Sequence, residues 1–147
     1  MDDVNLRAPD YYLDRELSFL EFNQRVLDLA ADASIPLLER VKFLSISCSN
    51  LDEFFEIRVA GLKERQELGS SHGGHDGRSI AEHLEAIHLR TRALVAEQYR
   101  LLNDVLGPAL VEAGIHLVRQ QRLTDAQVSA VAGYFEHEVE PVLSPLG

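Results

Sequence analysis

Residues Phe43 to Leu62 read FLSISCSNLDEFFEIRVAGL. Apolar residues crowd both sides of one polar notch, Ser47-Cys48-Ser49-Asn50. After the notch, Leu51, Phe54, Phe55, Ile57, Val59 and Leu62 recur as a helix with a broad apolar face would place them. Asn50 suits an N-cap, and Glu53 stands where its side chain bonds back to the cap. The stretch therefore predicts a helix ending at the notch, a break at Ser49-Asn50, and a second helix from Asn50 to about Leu68, stopped by Gly69. Such a junction presents unpaired backbone N–H groups and an amide side chain on well-packed supports.

Upstream, Ser18 and Glu21 have the spacing of a capping box, with Leu17 and Phe22 placed as its hydrophobic staple. Phe19, Phe22, Val26, Leu29 and Ala30 form the apolar stripe of that helix, while Asn23 and Arg25 fall off it and read as solvated. Asp32 and Ser34 interrupt the pattern, and Pro36 suits the first turn of a helix from about Ile35 to Ser47. There Leu37, Leu38, Val41, Leu44 and Ile46 are expected inward, with Glu39, Arg40 and Lys42 outward. The short connection makes the two helices antiparallel neighbours.

Downstream, Gly69 to Arg78 (GSSHGGHDGR) has no apolar residue and reads as a mobile loop. Ser79 and Glu82 then open the longest helix, to about Val105, with Gly107-Pro108 as its stop. A helical turn over Ala109 to Ala113 ends at Gly114, and Ile115 to Val118 reads as extended. Thr124 and Gln127 cap a last helix to about Val139, ended by Glu140-Pro141. The fold class is all-α, an antiparallel bundle of three to five helices with at most one short extended segment near Ile115–Val118. Residues 1–12 form a flexible arm, 13–139 the helical domain, and 140–147 a linker whose apolar VLSPLG ending suggests a continuing chain.

A chain of 147 residues fits one domain with a core of its own. Fourteen basic residues against 24 acidic ones give a net charge of −10 with histidine neutral, and no basic run offsets it. Nucleic acid is thereby disfavoured as a partner. No apolar run reaches the length of a membrane span, the start lacks a signal sequence, and the single cysteine, Cys48, forbids an internal disulfide. These features agree with a cytoplasmic setting.

Catalytic constellations are missing: no HExxH, CxxC or phosphate-binding loop occurs, and the carboxylates are scattered. His72 and His75, with Asp76, invite a metal reading, but a glycine-rich loop offers ligands no rigid support. His83 and His88 lie five apart, which separates them around their helix, and both read as face residues. No catalytic residue and no metal ligand is assigned.

SNLDEFFEIRVAGLK, preceded by ELSFLEFNQRVLDLAAD and PLLERVKFLSI, resembles the amino-terminal domain of the bacterial polyphosphate kinase 1 family. The likeness is close from Leu13 to Lys63 and looser through ALVEAGIHLV and YFEHEVEPVLSPL. The resemblance implies one domain of a larger enzyme that reversibly transfers the terminal phosphate of ATP to polyphosphate. It implies that the phosphorylated histidine, and the Mg2+ that accompanies ATP, belong to later domains, so that the fragment alone is inactive. It further implies that this domain forms one wall of the ATP pocket and that Asn50, the asparagine of SNLDEF, binds the nucleotide. An amide suits adenine because it donates and accepts at once, whereas Asp52 and Glu53 oppose a triphosphate. Phe54 reads as core and Arg58 as a surface ion pair. Partners implied are ATP, the remaining domains of the polypeptide and a second copy in a homo-oligomer. The alternative is a non-catalytic interaction or dimerisation module docking through the Phe54–Leu62 face.

Overall fold

The computed structural model describes residues 5, 8–70, 76–118 and 122–144. Expectations for residues 1–4, 6–7, 71–75 and 145–147, which take in His72, His75 and Leu146, lie outside that set. Within it the chain is helical, with no strand among the described residues, and Ile115–Val118 has no regular structure. Helix α1 spans Arg15–Ala31 and α2 spans Leu37–Glu53. The latter runs through a π-helical segment, Phe54–Val59, into α3, Ala60–Glu67. Helix α4, Ile80–Arg100, likewise continues through Leu101–Leu106 into α5, Gly107–Glu112. Two compact units result, Met1–Ala113 and Gly114–Gly147.

The first unit is built on three buried stripes. Leu20, Asn23, Leu27 and Ala30 are buried from α1; Arg40, Leu44, Ser47 and Leu51 from α2. Ile80, Ile87, Leu94 and Leu101 repeat every seventh residue along α4 and its extension, all at most 1% exposed. Three- and four-residue steps on each helix are the spacing that lets side chains interdigitate in a bundle.

The helices start and stop where local chemistry satisfies their ends, with one displacement. The box of Ser79 with Glu82 and that of Thr124 with Gln127 are both formed, and Gly69 (φ 81°) closes α3 in the left-handed conformation that glycine tolerates. Helix α1, however, is capped by Asp14, whose Oδ1 accepts from the Leu17 N–H at 2.8 Å. Ser18 lies inside the helix, and Glu21 pairs instead with Arg90 of α4. With the cap four residues earlier, the Leu17–Phe22 staple has no geometry to form.

The break expected at Ser49-Asn50 does not occur: α2 passes through the notch without interruption, and Asn50 is not a cap. Polar residues interrupt a helix when they take backbone bonds for themselves. Here Ser47 and Asn50 find partners on neighbouring helices, so the helix continues. The inward stripes also turn by about one residue from the expected ones. Phe22 and Leu29 are 46% and 38% exposed, whereas Asn23, expected in solvent, is fully buried. Arg25 is exposed as expected.

Gly107-Pro108 does not end its helix either. Proline lacks the N–H that an α-helix would direct to the carbonyl four residues back. The π-helical turn before it already bonds five residues back, Gly107 N–H to the Leu102 carbonyl, and so carries the chain past the gap. A Cβ on residue 107 would stand 2.9 Å from that carbonyl oxygen, so the tight turn requires glycine.

In the second unit, α6 (Asp125–Tyr134) leads through π-helical Phe135–Val139 into a turn at Glu140–Val142, with none of these residues buried. In the first, Phe54, Val59 and Leu62 are buried in the core. Those three residues of the face imagined as a docking surface are therefore internal, and only Phe55 and Ile57 of its large apolar residues are exposed.

Arg40, expected outward, is 9% exposed; its Nε donates to the Ala30 carbonyl at 2.9 Å and Nη2 reaches the Ala31 carbonyl at 3.5 Å. It thus closes the carbonyl end of α1, where a cation is favoured. Arg40→Ala should lower the unfolding free energy by about 1.5–3 kcal/mol, the worth of a hydrogen bond to a charged group. Urea denaturation measures this, and a change within about 0.5 kcal/mol would show that water serves those carbonyls equally well.

Candidate functional site

Asn50 sits on α2 one turn before the π-helical segment, facing α1. Its amide belongs to a polar seam through the bundle. Asn23 Nδ2 donates to the main-chain carbonyl of Ser47 at 2.9 Å, and Gln98 Nε2 of α4 donates to Ser47 Oγ at 3.0 Å. Asn23 and Ser47 are fully buried and Gln98 is 6% exposed. Asn50 Nδ2 donates to Asn23 Oδ1 at 3.2 Å.

This chain of bonds fixes which way the Asn50 amide points. A carbonyl only accepts, so Asn23 must turn its nitrogen to Ser47 and its oxygen to Asn50. That oxygen needs a donor, so Asn50 turns its nitrogen inward. Asn50 Oδ1 and the second Nδ2 hydrogen are left for the outer side, with no protein partner there among the described residues.

Asn50 also borders a concave pocket of about 250 Å³ with Phe19, Glu53, Phe54, Ile57 and Arg58. Phe19 stacks on Phe54, ring centroids 5.3 Å apart and planes 8° from parallel. Arg58 lies over the other part of the stack, its guanidinium carbon 4.8 Å from the Phe19 centroid. Phe54 is core, as its position suggested. Arg58 makes this ring contact and no ion pair among the described residues, contrary to the reading as a surface pair. The π-helical segment that begins at Phe54 re-aims the side chains after Asn50, an irregularity often found beside sites.

The pocket's chemistry is that of a recognition surface. It holds an oriented amide, an aromatic wall, and one charge of each sign from Glu53 and Arg58. A single carboxylate beside a guanidinium is no Mg2+ set, which needs several oxygens at near-octahedral angles. The volume lies below the range of about 300–1,000 Å³ usual for complete small-molecule pockets, as one wall of a larger site would. Cys48, with its thiol pushed up by burial and by the Asp52 carboxylate, lines a different groove between α2 and α4.

Residues 12–118 match the model of the family described as polyphosphate kinase N-terminal domain. The chain belongs to that family. It is 50% identical over 137 residues to the polyphosphate kinases of Mycolicibacterium gilvum and Mycobacterium tuberculosis, which covers 93% of this chain. It spans 19% and 18% of those relatives, about a fifth of their length. The crystal structure of polyphosphate kinase from Porphyromonas gingivalis superposes with a TM-score of 0.71 at 32% identity, over 91% of this chain and 19% of that one. The all-helical architecture is thus that of a polyphosphate kinase N-terminal domain. No helix among the described residues is long and apolar enough to cross a membrane.

Asn50 was legible as a candidate, but Asn23, Ser47 and Gln98 were not. The signal was present: Asn23 stands three residues after Leu20 and four before Leu27, on the spacing of a buried stripe. An amide there needs buried partners. Asn23→Asp should therefore destabilise the domain more than Asn23→Ala. Alanine forfeits two hydrogen bonds, at about 1–3 kcal/mol, while aspartate also buries a charge against the Ser47 carbonyl. Denaturant midpoints in the reverse order would show that this seam is not what holds the crossing.

Proposed function

We propose that the Asn50 pocket is one wall of the ATP site of a polyphosphate kinase. The whole enzyme reversibly transfers the terminal phosphate of ATP to polyphosphate, and later domains supply the phosphorylated histidine, the Mg2+ and the opposite wall. The oriented amide carries this reading. With Nδ2 turned inward, Asn50 offers an acceptor and one remaining donor in a fixed order. Adenine presents the complement, an N6 amino donor beside a ring-nitrogen acceptor, as in the paired contacts that asparagine makes with adenine elsewhere. Guanine carries a carbonyl in place of the amino group and meets Asn50 Oδ1 acceptor to acceptor.

The phosphates point away from this wall. Glu53 and Arg58 oppose each other in sign, and the −10 net charge gives polyphosphate no general surface to follow. On this reading the fragment binds one end of the nucleotide and has no phosphotransfer activity alone. Its natural partners are ATP and the remaining domains of the same chain, with the cytoplasm as its setting and a second copy in a homo-oligomer.

The test uses the full-length enzyme with ATP and GTP as alternative donors. Asn50→Ala should raise the KM for ATP by up to about tenfold, the value of one or two neutral hydrogen bonds. It should leave the KM for GTP nearly unchanged. Asn50→Asp should be worse for ATP, because aspartate has no donor for Asn23 and sets a charge beside the base. Asn23→Ala leaves Asn50 in place but frees its amide to turn, so discrimination between ATP and GTP should narrow. Wild-type kinetics for ATP in a folded Asn50→Asp enzyme would remove Asn50 from the site.

A further inference from the structure

At the N-terminal end of α1, the Asp14 carboxylate does two things. Its Oδ1 caps α1, and its Oδ2 lies 2.9 Å from His83 Nε2. The Asp76 Oδ2 lies 2.9 Å from the same nitrogen. These three ligand atoms fall within 4.8 Å of one another. His83 was expected on an exposed helix face; it is instead 2% exposed, in the first turns of α4. The side chains of Asp14 and Asp76 are 7% and 11% exposed.

Protons do not satisfy this cluster. The Nε2 atom carries at most one hydrogen, while two buried carboxylate oxygens stand at bonding distance from it. Given to Asp76, that hydrogen leaves Asp14 Oδ2 buried without a donor. Arg78 does not fill the gap: its nitrogens stand 3.6 Å from Asp14 Oδ2 and 3.9 Å from Asp76 Oδ2, beyond hydrogen-bond length. A buried oxygen without a partner is costly. One cation among the three atoms would give each of them a partner at once.

We propose that Asp14, Asp76 and His83 form a site for one divalent transition cation of the zinc class. Metal–nitrogen and metal–oxygen bonds to such an ion are about 2.0–2.2 Å. Ligand atoms 2.9 Å apart then subtend about 90° at the metal, the angle of an octahedral or five-coordinate edge. An imidazole nitrogen among the ligands selects against Mg2+ and Ca2+, and the lack of thiolate selects against Cu(I). Water completes the shell from a cavity of about 630 Å³ that Asp14, Asp76 and Arg78 line together with Pro9 and Tyr12. Arg78, its side chain 45% exposed, is free to swing out as the dication enters. The ion would clip together three segments: the arm that ends in Asp14, the approach to α4 at Asp76, and α4 itself. Gly77 already packs on Pro9 of that arm, with a Cβ position 3.4 Å from the proline ring.

Zinc titration of the chelator-treated 147-residue chain, followed by calorimetry and thermal melting, tests this. One Zn2+ should bind per chain and raise Tm by several degrees at about a hundredfold excess over Kd, with no rise from equal Mg2+. His83→Gln and Asp14→Asn should each weaken zinc binding by about ten- to a hundredfold. Asparagine caps a helix as well as aspartate, so Asp14→Asn stays folded even where His83→Gln does not. Arg78→Gln should bind zinc more tightly, because a competing charge is gone. The double variant His72→Ala, His75→Ala should keep the full stoichiometry. The proposal is overturned if no zinc binds, if binding survives Asp14→Asn unchanged, or if it disappears with His72 and His75.

Discussion

The hydrogen bond from Asn23 Nδ2 to the Ser47 carbonyl sets the register of the first unit. Apolar stripes on three helices match each other at several offsets, since a leucine fits against most leucines. A buried amide does not, because any other offset strands it among hydrocarbon at a cost of a few kcal/mol. Gln98 adds the third helix to the same point through Ser47 Oγ. A single buried polar position fixing helix alignment is the best-attested structural use of such groups. Here three helices meet on one serine, which offers its carbonyl to one neighbour and its hydroxyl to the other.

That same seam explains what the sequence conceals. The helix count, the boxes at Ser79 and Thr124, and the stop at Gly69 rest on local rules, and local rules are readable from spacing. The SNLDEF stretch carried enough likeness to point to the family. Two features failed together, the break at Asn50 and the solvated Asn23, and for one reason. Each polar residue was weighed alone, and a polar residue alone belongs at a cap or in water. Paired across 27 positions of sequence, both belong inside. Arg40 misled in the same way, since the carbonyls it serves lie nine and ten residues away on another helix. His83 did so because its partner Asp14 lies 69 positions earlier.

The misread cap at Ser18 has a related cause. Ser18 with Glu21 and Asp14 with Leu17 both offer a capping geometry, and pattern alone does not rank them. Tertiary demand ranks them: Glu21 is drawn to Arg90, whose guanidinium holds the Glu21 carboxyl below its usual range. Glu21 is then unavailable to a capping box, while Asp14 is free to cap with one oxygen. The pair is exposed and adds little stability by itself. Its effect is to choose the start of α1.

A site built on this seam inherits its rigidity. Asn50 is held from the inside, by a residue that is itself held by a main-chain carbonyl, and main-chain atoms of a packed helix are the least movable in the molecule. For the nucleotide contact we propose, a loop asparagine would present either face of its amide and tell adenine from guanine only by losing entropy on binding. An amide whose nitrogen is already committed has made that choice on folding. The buried polar seam weakens the core relative to an all-apolar one. What it supplies in return is an acceptor of fixed direction at the rim of a small pocket, a property that no arrangement of leucines provides.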